Sequence, residues 1–93
     1  MTVSFADRRT EALYRAESCH PAWRSIETVA LRKLDMVAAA VKVFDLRAPP
    51  ANRLEKLRGD RDGQWSIRIS DQWRICFHWT EFGPERVEIV DYH

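Results

Sequence analysis

Hydrophobic residues in the first half of the chain recur at helical spacing. Asp7 can cap a helix that continues to about Glu17. Pro21 interrupts this pattern because proline cannot continue a helix interior, and a second helix is predicted over residues 22–44. Its apolar residues keep the i, i+3, i+4 rhythm of one buried face, and they are Ile26, Val29, Ala30, Leu34, Val37, Val41 and Phe44.

The second half of the chain changes to the period of two that is typical of strands. Residues 64–70 and 73–80 both place large apolar side chains at odd-numbered positions. Gly83-Pro84 is expected to turn the chain into a last strand over residues 86–92, and residues 3–5 can form a short first strand. The pattern predicts the α+β class, with two N-terminal helices packed on one face of a small curved antiparallel sheet.

The two long strands can be aligned from their apolar positions alone. Their apolar sets must share one face, which favours a three-residue loop at Ser70-Asp71-Gln72 and places Arg68 directly across from Arg74. Like charges opposed on a sheet are destabilising, so an anion is expected between them on the face that the helices leave uncovered. The alternative is that both guanidiniums point into water or pair with Glu55 or Glu88.

Length and charge refine this picture. Ninety-three residues allow one domain, residues 1–93, and the net charge is only +1. The charge is unevenly spread, because residues 47–74 carry seven basic against four acidic side chains and residues 75–93 carry one against four. A basic middle favours a local anion site on a nearly neutral protein, and an ordinary mixed surface is the alternative.

The sequence also bears on the cellular compartment. It contains no apolar run long enough to span a bilayer and no N-terminal apolar segment of the signal-peptide kind. Cys19 and Cys76 lack zinc-type spacing and fit reduced thiols. A cytoplasmic protein without a membrane partner is therefore expected.

The candidate chemistry lies in the segment Asp91-Tyr92-His93. A histidine can gain or lose a proton near neutral pH, a tyrosine ring can stack on a base, and Asp91 can orient the imidazole or pair with an arginine. Metal-free RNA cleavage needs a base, an acid and a cation for the phosphorane. Arg68, Arg74, Tyr92 and His93 can supply those groups, whereas a frayed terminus is the alternative.

Other chemistries find less support. The histidines are widely spaced, and neither a metal-binding motif nor a glycine-rich phosphate loop is present, so no metal and no cofactor are expected. Glu55 stands beside the basic stretch and is either a general base or an ion-pair partner of Arg53 or Arg58.

Four segments of the second half form a motif series. They are Asn52-Arg-Leu-Glu-Lys-Leu-Arg-Gly-Asp-Arg61, Gly63-Gln-Trp-Ser-Ile-Arg-Ile69, Asp71-Gln-Trp-Arg-Ile-Cys-Phe77 and Asp91-Tyr-His93. In combination this series resembles the HigB toxins of the RelE superfamily. The similarity is close over about half of the residues, and the order of helices and strands matches along the whole length.

The resemblance implies a RelE-like fold and a ribosome-dependent endoribonuclease that cuts messenger RNA. It further implies neutralisation by a HigA-like helix-turn-helix antitoxin, and binding of operator DNA only through the toxin–antitoxin complex. Carried over by position, the resemblance implies that Arg74 stabilises the transition state and that Asp91, Tyr92 and His93 complete the active site. The resemblance implies that Lys56, Arg58 and Arg61 contact RNA. Arg68 is added to this set because it lies across from Arg74, where an anion is expected.

One departure concerns the general base. Some HigB toxins carry a histidine where this chain has Glu55, so acid–base duty falls either on Glu55 or on His93. Two rival functions are a ParE-like toxin that binds its target without nuclease chemistry, and an RNA- or ribosome-binding module. The opposed arginines and the Asp-Tyr-His segment favour the nuclease.

Overall fold

A computed structural model of the chain describes residues 3–91. Its helices are α1 (Arg8–Tyr14) and α2 (Glu27–Ala39), and its strands are β1 (Glu55–Lys56), β2 (Gln64–Arg68), β3 (Trp73–Thr80) and β4 (Gly83–Asp91). Short 3₁₀ helices cover Pro21–Ile26, Val43–Arg47, Pro50–Asn52 and Gly59–Arg61. The strands pair antiparallel in the order β1-β2-β3-β4. The predicted α+β class is confirmed.

The hydrophobic core lies between the helices and one face of the sheet. The odd-numbered strand residues Ile67, Ile75 and Phe77 are fully buried there, as the alternation predicted. The helices contribute Leu13 and Leu34, each 1% exposed. Burial of such side chains stabilises the fold by about 1.5–3 kcal/mol each.

The first helix begins as predicted and ends early. Asp7 is its N-cap, and one carboxylate oxygen accepts a hydrogen bond from the Thr10 amide at 2.7 Å. The helix ends at Tyr14 rather than at about Glu17 because Ala16 adopts a left-handed conformation with φ 59°. The amide of Glu17 then bonds back to the Ala12 carbonyl at 2.8 Å, which satisfies the helix end.

The prediction of one helix over residues 22–44 was wrong. The chain forms a 3₁₀ helix first, continues as α2, and turns away at Ala40, whose ψ is 133°. The Asp45 carboxylate accepts hydrogen bonds from the amides of Val41 and Lys42 at 3.0 and 2.9 Å, which favours this break. Val41 and Phe44, expected in the core, are 70% and 52% exposed.

The predicted register of the β2–β3 hairpin was correct. Arg68 lies opposite Arg74 and Ile67 opposite Ile75. The β3–β4 turn was misplaced: Gly83 and Pro84 belong to β4, because Thr80 pairs with Gly83 and leaves only residues 81–82 for the turn. Strand β1 was not predicted, since two residues are too short to show an alternating pattern.

The outer edge of β4 is sealed by the N-terminal segment. Residues 3–5 do not form the expected strand, and Phe5 makes a single parallel bridge to Val87. The Val87 amide donates to the Ser4 carbonyl and its carbonyl accepts from the Ala6 amide, both at 2.9 Å. One turn further, the buried Thr10 hydroxyl accepts from the Ile89 amide at 3.1 Å. The edge therefore offers few groups for another strand.

The second face of the sheet is less open than expected. We call it the arginine face; it carries Ser66, Arg68, Arg74 and Cys76. Ser66 and Cys76 are fully buried and Arg74 is 8% exposed. The prediction that this face is uncovered was wrong. The segment between α2 and β2 lies against it, where the Arg53 carbonyl accepts a hydrogen bond from Arg74. No helix within residues 3–91 is long and apolar enough to cross a bilayer.

Candidate active site

Arg74 is held rigidly at the middle of the arginine face. Its Nε donates to the Ser66 hydroxyl at 2.9 Å, and its Nη2 donates to the Arg53 carbonyl at 2.9 Å. Two hydrogen bonds from one planar guanidinium fix both its position and its plane. A buried and oriented cation of this kind can stabilise negative charge that develops on a phosphorus centre.

Arg68 stands across from Arg74 but differs in its surroundings. Its guanidinium forms an ion pair with Asp71 in the hairpin loop. This partner is neither of the two carboxylates that the sequence suggested. Because Asp71 is 99% exposed, the pair is open to solvent and contributes little to stability. The arrangement offsets part of the repulsion expected between the two arginines.

Glu55 belongs to a row of side chains that runs across all four strands of the arginine face. Glu55 lies opposite Ser66, Ser66 opposite Cys76, and Cys76 opposite Glu88. Ser66 is also the residue whose hydroxyl holds Arg74. Glu55, the candidate base, and Arg74, the candidate transition-state cation, are therefore neighbours of the same serine.

Arg61 closes the far side of this row. Its Nη1 bonds to Glu88 Oε1 at 2.7 Å and to Gln64 Oε1 at 3.2 Å. The hydrogen bond that Arg61 donates to Glu88 raises the pKa of Arg61 further above its already high ordinary value. Burial is the main cause that raises the pKa of the neighbouring Cys76 thiol. Cys76 is therefore a neutral packing residue rather than a nucleophile.

An open cleft of about 710 Å³ adjoins the exposed end of this row. Its lining comes from one continuous segment, and the lining residues are Glu55, Lys56, Leu57, Arg58, Asp60 and Arg61. The cleft thus gathers Glu55 and three of the four residues expected to contact RNA. Lys56 also reaches the core-facing side, where its Nζ lies 5.8 Å from the Trp65 ring centroid. Basic side chains around a cleft suit an RNA backbone.

Asp91 lies on the other side of the sheet. It is the cross-strand partner of Trp73, and paired residues project from the same face, so Asp91 projects toward the helices rather than beside Arg74. Its carboxylate accepts a hydrogen bond from Gln72 Nε2 at 3.1 Å. Tyr92 and His93 lie outside the described residues. The described range therefore brings together Arg74, Glu55 and the basic segment 56–61, and keeps Asp91 apart from them.

Two contributors to the site were missed from the sequence. Ser66 occupies an even-numbered position of β2, and its register opposite Cys76 was available from the alternation. Arg53 acts through its backbone carbonyl, for which side-chain patterns carry no signal. Residues 3–91 contain no group of three or more His, Cys, Asp or Glu side chains placed to hold a metal ion.

Solved structures share this architecture. One is titled the YoeB-YefM complex from Staphylococcus aureus, whose matching chain is 15% identical with a TM-score of 0.59, covering all of this chain and 97% of the other. Another is titled a YoeB/ParE toxin from Agrobacterium tumefaciens, with 18% identity and a TM-score of 0.54, covering all of this chain and 99% of the other. At these identities the likeness concerns the fold.

Sequence relatives are closer. Toxin HigB-1 of Vibrio cholerae is 39% identical over 84 residues, which are 87% of this chain and 86% of that protein. Endoribonuclease HigB of Proteus vulgaris is 39% identical over 61 residues, 66% of this chain and 65% of that protein. The family model described as the RelE-like toxin of the type II toxin–antitoxin system HigB matches residues 3–93. The chain therefore belongs to the HigB-like family of RelE-like toxins of type II toxin–antitoxin systems.

Proposed function

We propose that this toxin is an endoribonuclease that cuts messenger RNA engaged on the ribosome, using the 2′-hydroxyl of the RNA and no metal ion. The observation that carries the proposal is the buried Arg74 guanidinium, which is oriented by the Arg53 carbonyl and by Ser66, the cross-strand partner of Glu55. A relative named Endoribonuclease HigB supports the same chemistry.

The proposed reaction is an internal transfer at phosphorus. The 2′-oxygen forms a bond to the adjacent phosphorus while the bond from phosphorus to the 5′-oxygen of the next nucleotide breaks. A general base takes the 2′-hydroxyl proton, and a general acid protonates the departing 5′-oxygen. The products are a 2′,3′-cyclic phosphate and a 5′-hydroxyl. A cation near the phosphorane lowers the barrier because it faces the charge as it develops.

Each candidate residue takes a role in that reaction. Arg74 stabilises the phosphorane, and Glu55 or His93 accepts the proton. Tyr92 completes the site by stacking on a base, and Asp91, which faces the other side of the sheet, acts indirectly by orienting the imidazole of His93. Lys56, Arg58, Arg61 and Arg68 contact the RNA backbone. The cleft lined by residues 55–61 is the proposed path of the RNA.

The proposal also names partners. The toxin is neutralised by a HigA-like helix-turn-helix antitoxin, and it contacts operator DNA only through that complex, in the cytoplasm. The assignment to a type II toxin–antitoxin family and the toxin–antitoxin complex among the structural neighbours support an antitoxin partner.

The test is cleavage of a defined messenger by purified toxin, with and without translating ribosomes. The assay compares wild type with Arg74→Ala and with a control, Arg9→Ala. The control also removes one arginine, but Arg9 is exposed on α1. We expect wild type and Arg9→Ala to cut only translated messenger, and Arg74→Ala to lose most of its cleavage rate and keep only a small residual rate. Fragment ends are then analysed, and a 2′,3′-cyclic phosphate with a 5′-hydroxyl is expected.

Other outcomes identify the rival functions. Fragments with a 5′-phosphate would show that activated water is the nucleophile. Cleavage of messenger RNA in the absence of ribosomes would show that the reaction does not depend on the ribosome. Growth arrest without cleavage would favour a ParE-like toxin, and ribosome binding without cleavage would favour a binding module.

A further inference from the structure

A lysine is buried in this domain without a carboxylate partner in the described part of the chain. Lys33, on α2, is 5% exposed, and its ammonium donates to the Asn52 side-chain oxygen. Burying an ammonium group is costly unless it is compensated. Burial, assisted by the nearby charges of Arg32 and Arg68, lowers the pKa of Lys33 below its ordinary value. A buried cation in this setting suggests a role beyond packing.

The partner of this lysine organises the loop that follows α2. Asn52 is fully buried, and its Nδ2 donates to the carbonyls of Leu46 and Ala48 at 3.1 and 3.4 Å. Its own amide bonds to the Pro49 carbonyl at 2.9 Å. One side chain therefore ties the loop together while Lys33 anchors it to α2.

The next residue along the chain, Arg53, connects this loop to the candidate active site. Arg53 adopts the left-handed conformation, with φ 47° and ψ 55°, which is unfavourable for a residue other than glycine. Its amide bonds to the Pro50 carbonyl, and its carbonyl oxygen accepts the hydrogen bond from Arg74 Nη2 at 2.9 Å. The direction of that carbonyl depends on the backbone that Asn52 holds.

We infer that Lys33 and Asn52 are positioning residues, which set the orientation of the Arg74 guanidinium through the backbone carbonyl of Arg53. Their effect on cleavage is exerted through Arg74. The expected effect on RNA cleavage rests on the proposed function. The expected effect on the orientation of the Arg74 guanidinium does not. A misplacement of about 1 Å at a reacting centre can lower a rate about 10²-fold.

The first measurement follows the guanidinium directly. In the ¹⁵N-labelled full-length protein, the Arg74 Nε–Hε cross-peak is identified by its loss in Arg74→Lys. In Lys33→Met, which removes the charge at similar length, this cross-peak should shift or be lost to water exchange. Arg32→Met is the matched control, because Arg32 is exposed at the adjacent position of α2. Circular dichroism confirms that each variant is folded.

Asn52→Asp provides a second route if Lys33→Met does not fold. It keeps the oxygen that accepts from Lys33 and removes the two donors that hold the Leu46 and Ala48 carbonyls. The Arg74 cross-peak should again move. A folded Lys33→Met or Asn52→Asp whose Arg74 cross-peak stays in place would overturn the inference.

The second measurement is kinetic. For cleavage of ribosome-bound messenger, Lys33→Met should lower kcat by about 10²-fold with KM unchanged. In the Arg74→Ala background it should have no further effect, because residues that act through one group are not additive. An equal loss of kcat in both backgrounds would exclude action through Arg74. If the wild type does not cleave RNA, the proposed function fails while the cross-peak still decides the positioning inference.

Discussion

Arg74 is both a buried hydrogen-bond donor and the proposed catalytic cation of this domain. The sequence presents it as one of two opposed arginines whose repulsion weakens the sheet. In the folded chain Arg68 is paired with Asp71, and Arg74 satisfies a buried hydroxyl and a backbone carbonyl. Removing the Arg74 side chain therefore leaves two acceptors without their donor.

We expect Arg74→Ala to lower the free energy of unfolding by about 1–3 kcal/mol, because acceptors left unpaired in a buried site cost roughly that amount. Urea unfolding measures the change. Arg74→Lys keeps the charge but cannot make both bonds from one plane, so it should remain partly stabilising and still lose cleavage. An Arg74→Ala protein more stable than wild type would show that repulsion between the arginines dominates.

Thr10 provides a second test at the scale of one atom. Its fully buried hydroxyl is the acceptor for the Ile89 amide. Thr10→Val keeps the shape and leaves that amide unpaired, at a cost of about 1–3 kcal/mol. Thr10→Ser keeps the hydroxyl and loses one methyl group, about 0.8 kcal/mol. Thermal unfolding should rank wild type above Ser and Ser above Val. A valine variant as stable as the serine variant would remove the hydrogen bond from the account.

At the scale of elements, the most informative feature is the break after α2. Asp45 accepts from two backbone amides there and fixes the turn. Asp45→Ala should cost about 0.5–2 kcal/mol, the range for lost helix caps. Asp35→Ala removes an exposed carboxylate within α2 and should change stability by no more than about 0.5 kcal/mol. Equal effects of both changes in chemical denaturation would mean that Asp45 does not hold the break.

This break also marks the limit of prediction from the sequence. Alternation in β2 and β3 gave the correct register, because a shift of one residue would expose the whole apolar face. The helical period gave the wrong end for the second helix, because Val41 and Phe44 continue the spacing although a local capping carboxylate stops the helix before them. A periodic pattern shows which residues are apolar, and it does not show where a capping side chain ends a helix.

Some features of the candidate site could likewise be predicted from the sequence, and others could not. Arg68, Arg74 and Glu55 were accessible from register and motif, since they depend on strand alternation and on local sequence. The hydrogen bond from Arg74 to the Arg53 carbonyl, and that from Lys33 to Asn52, join residues 21 and 19 positions apart. Neither is encoded in a period, because both follow from how the loop after α2 folds back against the sheet.

For the whole molecule, the sequence suggests a separation between folding and chemistry at the C-terminal end. The fully buried core residues Ile67, Ile75 and Phe77 precede Asp91. A chain that lacks Tyr92 and His93 should therefore fold with little change in its unfolding midpoint. Its cleavage should fall by about 10²–10⁴-fold, as for loss of an acid or base.

The truncated and full-length chains should be expressed at equal levels without antitoxin, with growth and messenger integrity followed together. Equal toxicity would remove Tyr92 and His93 from the mechanism and leave Glu55 as the base. Loss of the folded state on truncation would contradict the proposed separation.

The seal along β4 has a consequence for when the toxin can become active during its own synthesis. The hydrogen bonds from the Arg86 amide to the Ser4 hydroxyl and from the Ile89 amide to the Thr10 hydroxyl span 82 and 79 positions, so the N-terminal segment finds its partners only after β4 has been made. A nascent chain emerges N-terminus first, and β4 also completes the row that holds Glu88 against Arg61. A nascent chain in which β4 has not yet emerged therefore carries an incomplete fold, so the toxin acquires its sealed edge only late in its own synthesis.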